Sequence, residues 1–173
     1  MARLRALVAA ALCTIASRPS VALAEVVVEE MPRHRVGLDG GIGSVVGAVG
    51  LTYTFAPVPW LRLEAGAGRG FTGTQLSFMP KIALGTPHDR FVAGVGMSLS
   101  SGPDGHGMEW RVPWVNVDAL GYEHRFPSGL SLALALGITT PLARFHYDIS
   151  ELGDTVKPGE IFPQFRVGVG YWF

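Results

Sequence analysis

Apolar and polar positions alternate with a period of two along most of this chain. That spacing is the signature of strands with one greasy face and one wet face. It predicts a first strand from His34 to Gly43, with Val36, Leu38, Gly40 and Ile42 on one face and Gly37, Asp39 and Gly41 on the other. A tight turn near Gly43-Ser44 leads to a second, Val45 to Phe55, with Val45, Val49, Leu51, Tyr53 and Phe55 on the greasy side. Trp60 to Gly68, Thr74 to Leu84 and Arg90 to Leu99 continue the pattern. Pro80 is a local misfit in the fourth strand, tolerable at a bulge because proline cannot donate to a ladder. The sixth strand, Trp114 to Phe126, is the least regular. The register of Leu120, Tyr122, His124 and Phe126 would put Asn116 and Asp118 on the greasy face, which predicts a bulge near Ala119. Leu130 to Ile138 is the cleanest strand, with leucine or isoleucine at every second position. The last, Ile161 to Phe173, sets Ile161, Pro163, Phe165, Val167, Val169, Tyr171 and Phe173 against a face of small or polar residues with Trp172.

Short Pro-containing connections follow the second, fourth and sixth strands (Ala56–Pro59, Gly85–Asp89, Pro127–Gly129). Long polar ones follow the fifth and seventh (Ser100–Pro113, Thr140–Glu160). Eight strands of this length, with short turns at one end and long loops at the other, fit a barrel that crosses a membrane, where strands need ~9–11 residues. Closure would leave no unpaired sheet edge in hydrocarbon. The expected fold is all-β: an eight-stranded antiparallel up-and-down transmembrane β-barrel over residues 34–173. Tyr53, Phe55, Trp60, Phe91, Tyr122, Phe126, Tyr171 and Phe173 fall near the turn ends of their strands, as an interfacial girdle would. Phe71, Trp110 and Trp114 are the residues expected at the other interface. A soluble barrel of the lipocalin type would show the same alternation turned inside out.

The N-terminus changes the picture from sheet to destination. Arg3 and Arg5 precede an apolar run from Ala6 to Ala16, and Ala22-Leu23-Ala24 forms a cleavage site. This reads as a secretory signal peptide over 1–24, removed before Glu25. The run is too short for a helix across ~30 Å of hydrocarbon. Residues 25–33 form a periplasmic lead-in. Cys13, the only cysteine, leaves with the signal, so no disulfide or thiolate chemistry is expected. Arg3, Arg5 and Arg18 leave as well, taking 14 basic residues to 11 against 14 acidic ones, so the formal zero becomes about −3. No basic patch points to nucleic acid.

The final strand, ending on Phe173 with Tyr171 two residues before it and Phe165 further back, resembles the C-terminal sorting strand of bacterial outer-membrane barrels. With "LGYEHRF" (Leu120–Phe126) and "VGVGYWF" (Val167–Phe173), the chain resembles small eight-stranded outer-membrane proteins of the OmpA-barrel, OmpX and opacity-protein type. That resemblance implies residence in the bacterial outer membrane. It also implies contact with outer-membrane lipid and lipopolysaccharide, and recognition of Phe165, Tyr171 and Phe173 by the barrel assembly machinery. A monomer is expected, with no peptidoglycan-binding domain after the barrel.

The polar face supplies Asp39, Arg62, Glu64, Lys81, Arg90, Glu123, Arg125 and Arg166. Turned inward, these would form a salt-bridged plug, since eight strands leave an interior just wide enough for side chains. Glu64, between Arg62 and Arg125 or Arg166, is the expected centre of the tightest pairing. Inward glycines (Gly37, Gly66, Gly68, Gly94, Gly96, Gly168 and Gly170) would give the long cations room to lie across. Two further constellations are weaker. Asp104, His106 and Glu109 share a loop, but an outer loop needs polar residues anyway, so no metal is expected. His146, Asp148 and Ser150 alternate, but "HYD" lacks the His-x-Ser spacing that lipid A deacylases show. The Gly-x-Gly runs sit in strands with no helix behind them, so no nucleotide or other cofactor is expected. The reading is a non-catalytic outer-membrane barrel with a structural or surface-interaction role. The alternatives are a small pore or transporter for small or apolar solutes and, third, a lipid A-modifying enzyme.

Overall fold

A computed structural model describes residues 31–70, 73–101, 112–147 and 154–173. The alternating segments form long strands: β1 His34–Ile42, β2 Val49–Val58, β3 Leu61–Gly70, β4 Gly73–Gly85, β5 Asp89–Ser100, β6 Val112–Arg125 and β7 Leu130–Pro141. A small hairpin follows, β8 Phe145–Tyr147 with β9 Asp154–Val156, and then β10 Phe162–Trp172. Eight of these strands close into a barrel in the order β1-β10-β7-β6-β5-β4-β3-β2, every neighbouring pair antiparallel. Apart from the hairpin inserted before β10, each strand pairs with the next in sequence. β1 returns to β10, from Arg35↔Trp172 to Ile42↔Phe165, so no edge of the barrel is left unpaired.

The polarity of the wall is inverted relative to a soluble domain. Leu132, Leu134 and Leu136 of β7 are 48–52 % exposed, while Ser131 and Ala135, on the opposite parity, face inward at 0 % and 4 %. The same holds round the barrel: Leu51, Ile82, Val95 and Val167 point outward, and Thr52, Lys81, Ser98 and Arg166 are buried inside. The short turns Pro59–Trp60, 86–88 and 126–129 lie at one end of the barrel, together with the start of β1 at His34 and Phe173 after β10. Tyr53, Trp60, Phe91, Tyr122, Tyr171 and Phe173 are exposed around that end. His34 stacks there on Tyr53, Phe55 and Phe173.

Four sequence expectations need correction. The second strand begins at Val49 rather than Val45, because residues 43–48 fold into the barrel. Ser44, Val45 and Val46 are buried at 0–2 % exposure, and Val45 and Val46 pack on Met79. The segment is flanked by glycines with positive φ, Gly43 at 62° and Gly47 at 83°, a conformation that side chains rarely adopt. The second strand also runs on to Val58 through a register shift after Phe55, where a turn at Ala56-Pro57 was expected. Trp114 does not mark an outer interface. It points inward, donates its indole N–H to Ser100 Oγ at 3.1 Å and meets Phe162 edge-on. The loop before the last strand carries the β8–β9 hairpin. By contrast, the register of β6 does slip between Asp118 and Leu120, turning Asn116 and Asp118 into the lumen. The expected signal peptide, residues 25–30 of the lead-in, Phe71 and Trp110 lie outside the described residues.

Candidate functional site

The lumen is built from the inward face of every barrel strand, and its charged side chains fall into three groups. In the middle, Glu64 of β3 accepts from Lys81 Nζ of β4 and from Arg166 Nη1 of β10, each at 2.6 Å. Asp118 of β6 faces the same two cations, at 3.3 Å from Lys81 and 3.0 Å from Arg166. It also accepts from Gln164 Nε2 at 2.5 Å. Nearer the short-turn end, Arg62 donates to Glu123 at 2.5 Å, and Trp172 donates its indole N–H to the other Glu123 oxygen at 2.8 Å. The Arg62 guanidinium lies 4.9 Å over the Trp172 ring. Along β1, Arg35 and Asp39 share a face four residues apart, as a period of two requires, with 3.5 Å between them. Arg35 also donates to Ser131 Oγ at 3.0 Å, and Thr52 donates its hydroxyl to Asp39.

Four cations (Arg35, Arg62, Lys81 and Arg166) therefore meet four carboxylates (Asp39, Glu64, Asp118 and Glu123), all buried. A buried charge needs such a partner, because the low-dielectric interior replaces its hydration poorly. The space left among these groups is about 20 Å³, room for a single water, which needs about 10–15 Å³. Towards the long-loop end the lumen turns neutral. Gln75, Asn116 and Trp114 converge on Ser98 and Ser100, and Thr139 donates to Asn116 at 2.9 Å. Above these a recess of about 80 Å³ opens between residues 41–48, Gly70, Gln75, Trp114 and Thr139.

The eight lumen residues expected from the sequence are not all brought together. Asp39, Arg62, Glu64, Lys81, Glu123 and Arg166 are in the network. Arg90 sits at the short-turn mouth instead, tying Thr86 O at 3.0 Å, Pro59 O at 2.5 Å and Met31 Sδ together. Arg125 is half-buried at the same rim. Glu64 is a centre of pairing, with Arg166 as one of the expected alternatives and with Lys81 in the place expected of Arg62, which belongs to Glu123. Arg35 and Asp118 were missed. Arg35 has the parity of Gly37 and Asp39 and is legible on that ground. Asp118 needs the one-residue slip at Ala119 to reach the lumen.

The inward glycines divide by what lies against them. A Cβ on Gly37 or Gly170 would strike the Arg35 guanidinium, and one on Gly94 would meet Lys81 Cγ at 2.6 Å. Gly66 and Gly68 make room for Val46 rather than for a cation, and Gly96 for Met79. Of the assembly-signal residues, Phe165, Tyr171 and Phe173 all point outward from the last strand. His88 and His124 lie at the short-turn rim, where Asp89 accepts from Tyr122 and from His124 at 2.8 Å. Asp104, His106, Glu109, Asp148, Ser150 and the side chain of His146 lie outside what is described. Compared with protein-family models, curated proteins and solved structures, the chain matches none.

Proposed function

We propose that this chain is an integral β-barrel of the bacterial outer membrane. In this reading its lumen is sealed by paired charges and an inward-folded segment, and its role is structural or surface-presenting, without catalysis. The observation that carries the reading is the inverted wall. Thirty large apolar side chains among the described residues are exposed, forming a belt round the barrel, while nine charged ones are buried, eight of them in the paired network of the lumen and Arg90 at its mouth. Soluble monomers rarely expose a contiguous apolar patch beyond a few hundred Å². A lipocalin-type arrangement would bury the belt and hydrate the ion pairs. Hydrocarbon around a closed sheet reconciles both features, with every wall strand paired and the polar side chains turned inward. The aromatic residues at the short-turn end suit the headgroup region, and the outer face suits the apolar chains of outer-membrane lipid and lipopolysaccharide.

Two measurements test this. The folded protein in detergent should change apparent mass on gels only after boiling. Reconstituted in planar bilayers, it should conduct at no more than the leak of the bare bilayer. A boiling shift accompanied by discrete channels would replace the sealed barrel with a small pore. Absence of the shift, with the protein recovered in the soluble periplasmic fraction, would overturn membrane residence.

A further inference from the structure

The barrel wall is irregular at one level, where three features of adjacent strands fall side by side. The β4–β5 ladder is interrupted between Phe78↔Met97 and Lys81↔Gly94, and the register on either side sets Pro80 across from Val95. Proline has no N–H to give there. The β5–β6 register slips between Val92 and Gly94, and the β6–β7 register between Asp118 and Leu120. Lys81, Gly94 and Asp118 form one row across these strands. Their ion pair, Lys81 Nζ to Asp118 Oδ2 at 3.3 Å, lies just inside a wall that at Gly94 carries no side chain. On the outer face the same place is a concave, almost wholly apolar groove of about 420 Å³. Leu61, Pro80, Ile82, Val95, Val117 and Ala119 line it, with Lys81 and Asp118 contributing to its floor.

We propose that this groove is a binding site for one acyl chain of a membrane lipid, a proposal that rests on the membrane reading above. Its volume falls in the range of about 300–1,000 Å³ typical of small-molecule sites. Its rim runs without a break into the outward apolar belt, since Ile82 and Val95 are both about half exposed. Whatever solvates that belt therefore has direct access. The two charges in the floor, Lys81 and Asp118, are already paired with each other and with Glu64 and Arg166 in the lumen, so no headgroup or ionised ligand is called for. An unbranched chain supplies the apolar contacts that an unfilled concavity forfeits. Lying over Gly94, it also thickens the low-dielectric layer outside the Lys81–Asp118 pair, where the wall is otherwise a single backbone thick, and so keeps water from weakening that pair. A second barrel is the poorer occupant, because it offers a convex wall to a narrow groove.

The test uses the folded full barrel in liposomes containing a trace of phosphatidylcholine with a diazirine midway along one acyl chain. After irradiation, adducts are mapped by mass spectrometry. Adducts should concentrate on residues 93–95 and 117–119, roughly tenfold over Leu134 and Val167, the ratio expected of a modest site preference. Ala119→Phe should bring groove labelling down to that of the rest of the wall, with the boiling shift and the Leu134 adducts retained. Should Ala119→Phe fail to fold, Ala93→Leu fills the same groove from β5. Even labelling all round a heat-modifiable barrel would overturn the acyl site and leave the membrane reading standing. Cross-links joining two copies through the groove would overturn it in favour of a second copy. No adducts on any strand, together with no boiling shift, would remove the membrane reading and the site with it.

Discussion

Trp172 and Glu123 meet across the lumen, the indole N–H donating to the carboxylate at 2.8 Å, although 49 residues separate them in the chain. Trp172 is the penultimate residue and Glu123 lies in β6, so the contact joins the last strand to the middle of the sheet. Arg62 completes it from a third strand, as partner of Glu123 and neighbour of the indole face. A large aromatic residue on the inward face of the last strand thus closes the lumen near its short-turn end. The inward positions between it and Phe162, which packs on Trp114 at the other end of the strand, are glutamine, arginine or glycine.

Replacing Trp172 separates its two contributions. Trp172→Phe keeps a ring beneath Arg62 and removes the donor to Glu123. Hydrogen bonds to charged groups contribute roughly 1.5–3 kcal/mol, and a loss of that size is expected in urea unfolding of the micelle-embedded barrel. Trp172→Ala also removes the buried ring and should cost about 3–5 kcal/mol. Equal stability of Trp172→Phe and the parent protein would mean that the indole N–H contributes nothing.

Glu64 holds two cations at once, Lys81 and Arg166. Glu64→Ala leaves both with Asp118 alone, in a site closed to bulk water. A loss of about 3–5 kcal/mol is expected, the cost of breaking a buried pair from one side. Adding Lys81→Met should recover part of it, because the cation left uncompensated is then gone. The double variant is read by the same unfolding midpoint. A double variant less stable than Glu64→Ala by the full cost of Lys81→Met alone would show that the two side chains act independently.

The inward segment at 43–48 gives a third test. Val46 is fully buried against a wall where Gly66 and Gly68 stand in place of side chains. In a variant whose only cysteine is Val46→Cys, the thiol should resist a membrane-impermeant reagent while the barrel is folded. Adding Gly66→Leu, whose side chain needs the same space, should expel the segment and raise the labelling rate about tenfold or more, since each 1.4 kcal/mol shifts an opening equilibrium tenfold. Rapid labelling without the second substitution would mean that the segment does not rest inside.

The strands were legible because their period is strict. Leu130 to Ile138 places a large apolar residue outward at every second position, and no other element type accommodates that spacing. The bulge at Ala119 was legible as well, since two polar residues, Asn116 and Asp118, stood on the wrong parity for a greasy face. The inward fold of Ser44–Val46 was not. Val45 has the parity of Val49 and Leu51, so alternation extended the second strand backwards through it. What decides its position is the space left by Gly50, Gly66 and Gly68 on two other stretches, a tertiary fact that local periodicity does not carry. The pairing of Glu64 was legible only in part, with Arg166 among its expected partners and Lys81 not, for a related reason. Parity says which charges face inward, but the stagger of strands round the barrel decides which of them share a level.

Phe173 carries the last test. His34 N donates to Phe173 O at 3.1 Å, Phe173 N donates to His34 O at 2.8 Å, and the two rings stack at 5.8 Å. The residue therefore helps close the β1–β10 seam, and the sequence also places it where an assembly signal would be read. Deleting Phe173 removes both roles, so two measurements are needed to tell them apart. Refolding of the purified chain into detergent micelles depends only on the seam. Two lost hydrogen bonds at about 0.5–1.5 kcal/mol each should lower stability by roughly 1–3 kcal/mol and leave the boiling shift in place. If Phe173 is read as an assembly signal, insertion into the outer membrane of cells should fall far more. Phe173→Tyr, which keeps the backbone pair and an aromatic ring, should restore both. If the deletion refolds and inserts in cells to the same reduced extent, the seam accounts for everything. Phe173 would then be a closing residue and not a signal.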